Sequence, residues 1–221
     1  ISDFDKNDIC KYYPKFSKKV IKIYNPINIR YIPQKIKVDK PYICALNIQF
    51  HHKNTITLIK AFELIKDKIS YDLMLIGNVP ERVNYLKEYV YAHKLEERIH
   101  FTGFLQEDEM YKMLANCSLY VNPSLYEGFG MTAIEAIIFK VPVLVSKIPA
   151  NYEVTQGLCR YYEPAESIEA LADAILDILN NIPNGQNLEQ CKKSVEKVYN
   201  YIDISKQYYN LFLSIINKEE D

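Results

Sequence analysis

The chain has 221 residues, enough to bury a sizeable core. Apolar residues make up 48% and charged residues 25%, and the net charge of −1 supplies no field that would draw nucleic acid or an anionic membrane surface. No run approaches a membrane span, and five scattered cysteines (Cys10, Cys44, Cys117, Cys159, Cys191) without a CxxC pair read as reduced thiols of a cytoplasmic protein, not as a disulfide frame or zinc site.

The first forty residues hold a polar stretch with loop signals and then a strand expected over 18–24, "KKVIKIY". Further strands are expected at 42–48, 71–77, 98–102, 117–121, 141–146 and 158–162. Between them, helical periodicity runs over 54–67, 81–95, 106–117, 130–140 and 166–181. Runs such as "LMLI" and "VLV" are apolar without alternation, as in a sheet covered on both faces. The expected fold class is therefore α/β, a doubly wound parallel sheet of right-handed βαβ units. "NIPNGQN" (181–187) breaks the pattern, a long polar helix follows to about residue 217, and the acidic "KEED" ends the chain. Both ends read as pieces of something larger.

In such a sheet, ligands bind at the carboxyl ends of the strands. After strand 42–48 comes "QFHHKNT", with His51, His52 and Lys53 just before a helix whose expected N-cap is Asn54. A cation cluster at a helix start is electrostatically misplaced unless an anion such as phosphate occupies the site. A solvated surface cluster is the plainer reading. In "LYEGFGMTAIEAI" (125–137), Gly128 and Gly130 let a ligand approach the main chain. Glu135 shares a helical face with Met131, Ile134 and Ile138, where a carboxylate needs a partner. A ribose diol would supply one; so would a buried cation. Glu127 stands at the mouth of the loop, where an ordinary surface glutamate is the simpler account.

"GFGMTA" also matches the dinucleotide pattern G-x-G-x-x-A, but "PSLYE" separates it from its strand, and the next strand ends in Ser146 and Lys147, not in an acid. The D-x-D formed by Asp3 and Asp5 lies in the polar stretch with no strand before it, where chance explains it best.

"NPSLYEGFGMTAIEAIIFKVPVLVSKIPANYEV" resembles the E-x7-E region of family 4 glycosyltransferases, retaining enzymes of the GT-B fold, with Glu127 and Glu135 as the two acids. "KPYICALNIQFHHKNTITLIKAFELI", "YDLMLIGNVPE", "RIHFTGFLQEDEMYKMLANCSLYVNPS" and "IEALADAILDIL" follow the family's order, so the resemblance covers about residues 18–181. It implies a Rossmann-like donor domain over 18–183, the C-terminal half of a GT-B enzyme. Residues 1–17 would end the preceding acceptor domain or a linker, and the helix of 184–221 would pack back on that missing domain. Lys53 would hold the donor diphosphate, and the main chain of Gly128, Phe129, Gly130, Met131 and Thr132 would cradle it. Glu127 would contact the transferred sugar, and Glu135 the ribose. Phe104 and Leu105 would flank the base. Leu46-Asn47 stands where many members have Gly-Arg, so His52 or Gln49 would replace the second phosphate cation, with Asn47 also lining the donor.

The implied partners are a nucleoside diphosphate sugar and a glycan or lipid-linked glycan acceptor, with no metal or cofactor. The implied place is the cytoplasm, with a peripheral position on the inner face of the membrane as the alternative. Two other readings of the fold stand beside it: a GT-B nucleotide-sugar epimerase and a non-catalytic nucleotide-binding module.

Overall fold

The computed structural model describes residues 1–29 and 31–217. The acidic tail read at 218–221 lies outside the described residues. The first helix, α1 (Asp3–Tyr12), occupies the stretch expected to be loop. Ser2 caps it by accepting from the Asp5 N–H, and Asp3 and Asp5 lie in the first turn, where the helix dipole favours acids. The Asp3/Asp5 pair is thus in a helix, not a loop, and the S-x-x-D spacing was the overlooked cue.

Residues 18–24 do not form the expected strand. A 3₁₀ turn, Pro14–Lys19, runs into extended chain whose described residues pair with no strand of the sheet. Its alternation is real: Ile21 is exposed while Ile23 and Ile27 are buried. Those residues pack on helices, and the one bridge in the segment joins Ile27 to Asn200, with the Ile27 N–H donating to the Tyr199 carbonyl. Alternation reports a one-sided apolar environment, which a helical surface supplies as well as a sheet partner.

From β1 (Tyr42–Leu46) the chain runs through α2 (Thr55–Ile65), β2 (Asp72–Ile76), α3 (Tyr85–Ala92), β3 (Ile99–Gly103), α4 (Glu107–Asn116), β4 (Leu119–Asn122), α5 (Met131–Ile138), β5 (Val143–Ser146), α6 (Pro149–Thr155), β6 (Arg160–Tyr162) and α7 (Ile168–Asn180). The strands form one parallel sheet in the order β3-β2-β1-β4-β5-β6. Period-two alternation splits the core into two layers. Ile43, Ala45, Leu73, Leu75, Val121 and Leu144 face α2, α3 and α7. Cys44, Leu46, Tyr120, Val143 and Val145 face α4 and α5.

The single helix expected to about residue 217 is two, α8 (Gly185–Val198) and α9 (Tyr201–Ile216). Tyr199 divides them. Its side chain is fully buried and donates to the Val154 carbonyl (2.7 Å), and Asn200 then caps α9 by accepting from the N–H groups of Ile202 and Asp203. α8 packs on α5 and buries Val195. Helix α6 was not anticipated, although Pro149 at its first position is a typical helix start. No helix of the described residues is long and apolar enough to cross a membrane.

Candidate functional site

The strand order reverses between β1 and β4, so the loops leaving these neighbours diverge and open a crevice at their carboxyl ends. Both loops carry the residues singled out above. They are tied together where the Leu125 N–H donates to the His52 carbonyl (2.8 Å).

Lys53 lies in a 3₁₀ turn, His51–Lys53, and reaches Glu127: Nζ to Oε1 is 2.6 Å. Glu127 is 7% exposed. Asn122 Nδ2 (3.0 Å) and Ser124 Oγ (2.8 Å) also donate to Oε1. Burial alone would push this carboxyl up. The Lys53 charge and the three hydrogen bonds outweigh it and hold the group below the usual glutamate range. All these bonds fall on one oxygen; among the described residues Oε2 takes none. Glu127 is therefore the ionised end of a buried pair, not a surface glutamate.

Glu135 is half-buried on α5 and accepts from Tyr111 OH (3.1 Å). Among the described residues no cation stands within ion-pair distance. Burial raises its pKa, the nearby Glu107 charge adds to the rise, and the Tyr111 hydrogen bond opposes it. A carboxylate so placed still has acceptor capacity to offer.

Gly130 adopts φ +81°, and α5 begins after it without a side-chain cap. A β-carbon there would be strained, which accounts for glycine at this position. Phe129 turns its ring into the core against Tyr24 and Tyr199, so only its main chain faces the loop. Met131 and Thr132 are half-buried at the helix start. Asn54 stands at the N-cap position of α2 as expected, but its side chain makes no cap bond. It sits at φ +53° with its amide donating to the Ala165 carbonyl and accepting from the Thr57 hydroxyl. The start of α2 thus also lacks a side-chain cap.

Asn47 sits at φ +62° at the end of β1, exposed, with its N–H bound to the Ile76 carbonyl. His52 is exposed and stacks on Phe50. Burial and the Lys53 charge lower its pKa, so it is a poor cation at neutral pH. Arg82, passed over in the sequence, donates to the Gln49 carbonyl (3.3 Å) and lies over the Phe50 ring. Phe104 is 68% exposed on the loop after β3, two strands from β1, and Leu105 rests on the core beside it.

Sequence reasoning also missed Asn122, Ser124 and Tyr111, which hold the two glutamates, and Asn151, whose Oδ1 is buried beside Gly130 without a partner. Polar residues buried at strand ends are found by asking what a buried carboxylate bonds to, which needs the fold. Among the described residues no group of three acidic, histidine or cysteine side chains is arranged to hold a metal ion. A cavity of about 390 Å³ lies elsewhere, at the amino ends of β5 and β6 between α5, α7 and α8, and its lining is largely apolar.

The family model of glycosyl transferases group 1 matches residues 30–198. The chain belongs to this family. The resemblance to family 4 glycosyltransferases read from the E-x7-E region is thereby met. Among relatives of this glycosyltransferase domain, the O-antigen chain mannosyltransferase RfbU of Salmonella typhimurium is 28% identical over 89% of the chain and 52% of its own length. O-antigen chain mannosyltransferase B of Escherichia coli is 23% identical over 87% of the chain and 55% of its own length. A glycosyltransferase of Rickettsia africae superposes with a TM-score of 0.85 at 19% identity, covering 98% of this chain and 62% of that one. Anabaena Alr3699/HepE, solved with UDP and glucose, gives 0.79 at 18% identity, covering 96% and 61%. These likenesses confirm the Rossmann-like fold. The glycosyltransferase domain spans about half the length of the curated relatives it matches.

Proposed function

We propose that this domain binds the nucleoside diphosphate sugar of a retaining hexosyltransferase that builds a surface polysaccharide or another glycoconjugate. The observation that carries the reading is the Lys53–Glu127 pair, set at the switch point beside the uncapped starts of α2 and α5. Helix starts present free N–H groups to an anion. Lys53 would move from Glu127 to the diphosphate, and the main chain of 128–132 would take the remaining phosphate oxygens. Glu127, freed, would turn its carboxylate to the sugar hydroxyls. Glu135 would take the ribose diol, with Tyr111 fixing one oxygen. Asn47 and His52 would border the phosphates, and Phe104 and Leu105 the base.

In the transfer, the bond from the anomeric carbon to the diphosphate oxygen breaks. The acceptor oxygen bonds to that carbon from the same face, and the acceptor proton passes to the leaving diphosphate. Protein groups position the donor and stabilise the charge of the leaving group. No metal takes part, so EDTA should leave donor affinity within twofold. The O-antigen mannosyltransferases among the relatives support a mannosyl donor as the first to try. Most of an acceptor site would belong to chain outside these residues, and the domain alone should bind donor without useful turnover.

The experiment is calorimetry with GDP-, UDP- and ADP-sugars, followed by product analysis with donor alone. Absence of nucleotide binding rejects the reading. Conversion of donor without an acceptor would assign an epimerase.

A further inference from the structure

Three buried side-chain acceptors go without a hydrogen-bond partner among the described residues: Asp5 Oδ2, Gln49 Oε1 and Asn151 Oδ1. Two of them flank the glycine loop. Both carboxylate oxygens of Asp5 lie 3.8 Å from the point where a β-carbon on Gly128 would stand. Asn151 Oδ1 lies 3.4 Å from the same point on Gly130, with no other atom within 4 Å of it.

Neither group is there by default. Asn151 is 1% exposed, and its amide orientation is fixed: Nδ2 donates to the Ser146 carbonyl (3.0 Å) and hydroxyl (3.1 Å). A carbonyl only accepts, so the amide oxygen must face Gly130. Asp5 is held through α1. Its own N–H donates to Ser2 Oγ (3.0 Å). The N–H of Asp3 donates to both oxygens of Glu153 (2.7 and 2.9 Å), and the N–H of Phe4 to Oε2 (3.2 Å). Glu153 also accepts from Tyr24 OH (3.1 Å) and Lys22 Nζ (3.4 Å). The Phe4 ring meets Tyr126 edge-on. The amino group of Ile1 forms a long ion pair with Asp5 Oδ2 (3.9 Å), which leaves that oxygen without a hydrogen bond.

Buried polar groups are normally satisfied, so two orphans on one loop ask for a ligand. Both are acceptors, and the ligand must donate. The diphosphate of a nucleotide sugar, esterified at both ends, donates nothing at neutral pH and would be repelled by Asp5. Sugar hydroxyls donate, and carboxylate and amide oxygens suit them.

We propose that Asp5, with Asn151 on the other flank of the loop, forms a hexose-hydroxyl subsite beside Gly128–Gly130, and that Asp5 helps to set which hexose is accepted. This rests on the donor reading above. Glu153 is then a positioning residue that holds the start of α1 at the loop.

The test is calorimetry on the 221-residue chain with the pairs GDP and GDP-mannose, and UDP and UDP-glucose. Methyl α-mannoside is titrated separately at saturating nucleotide. Asp5→Asn, nearly isosteric, should leave bare nucleotide no more than twofold weaker and lower affinity for a hexose-bearing ligand ~10-fold. Loss with the nucleotide sugar assigns the subsite to the donor hexose; loss with the methyl glycoside assigns it to the acceptor. Asp5→Ala should lose at least as much, and if it fails to fold, Asp5→Asn still decides. Equal weakening of nucleotide and hexose ligands, or no weakening of either, overturns the proposal. So does a wild-type chain that binds nucleotide but gains nothing from hexose on either arm. A wild-type chain that binds no nucleotide defeats the donor reading itself and the subsite with it.

Discussion

Asp72 and Glu127 are both buried carboxylates at sheet ends, each with a cation in contact, yet their surroundings differ. Asp72 opens β2 at the amino end. Lys40 (2.6 Å) and Arg98 Nε (3.0 Å) meet its Oδ1, and His100 lies 3.2 Å from Oδ2. The other Arg98 nitrogens donate to the carbonyls of Lys66, Ile69 and Tyr71. Both carboxylate oxygens and every guanidinium nitrogen are used. At the carboxyl end, Glu127 concentrates its bonds on one oxygen, the Lys53 ammonium has that carboxylate as its one partner among the described residues, and acceptors without hydrogen bonds stand nearby. A closed network locks strands; an open one is a site waiting for a ligand.

The comparison breaks most plainly if the closed network turns out to matter for ligands. Arg98→Met should cost about 3 kcal/mol of stability, because it leaves three carbonyls unpaired and takes one of its cations from the Asp72 carboxylate. Thermal unfolding should register this as a fall of roughly 6–12 °C. Nucleotide affinity of the folded variant should stay within twofold, and a larger loss would mean that the amino end is not purely structural.

Lys53→Ala probes the open network. Affinity for a nucleoside diphosphate should drop by about 2 kcal/mol, while the bare nucleoside stays within twofold. Equal losses for both would remove Lys53 from the phosphate.

Glu135→Gln sharpens the contrast further. Nucleotide binding should weaken by about 1 kcal/mol in calorimetry. The ligand-free chain should melt about 1–2 °C higher at neutral pH, since an acid of raised pKa disfavours the fold once ionised.

Much of this was legible beforehand. The six parallel strands followed from apolar runs spaced by helical periods; Lys53 and Glu135 stood out as charges set against the local grain, and Glu127 only through the family resemblance. Their bonding was not legible. Asn122 and Ser124 are separated from Glu127 by ordinary loop residues, and no spacing says that all three converge on one oxygen. Tyr111 reaches Glu135 from another helix. The strand expected at 18–24 failed because alternation cannot distinguish a sheet neighbour from a helical one. Glu153 gave no cue, since its partners, two backbone amides of α1 with Lys22 and Tyr24, lie at the far end of the sequence.

The smallest expected effect concerns pH. Glu127 has a depressed pKa in the fold, so its contribution is complete above the unfolded value of about 4.3 and fades as pH falls through the lower folded value. Glu135 runs the other way: its contribution is present below the unfolded value and fades as pH rises through the higher folded one. Melting curves between about pH 3 and 7 should therefore flatten at the acid end for Glu127→Gln and at the neutral end for Glu135→Gln. Identical profiles for the two would erase the difference between them.

The bridge between Ile27 and Asn200 has a kinetic consequence. Each βαβ unit of the sheet closes over a short stretch of chain, whereas this bridge joins residues near opposite ends of the sequence. Its loop-closure entropy is recovered only after the sheet has drawn the ends together, so it belongs to the last stage of folding. Substitutions at Ile27 or Tyr199 should then speed unfolding and leave the folding rate almost untouched, making this seam the place where the native state first comes apart.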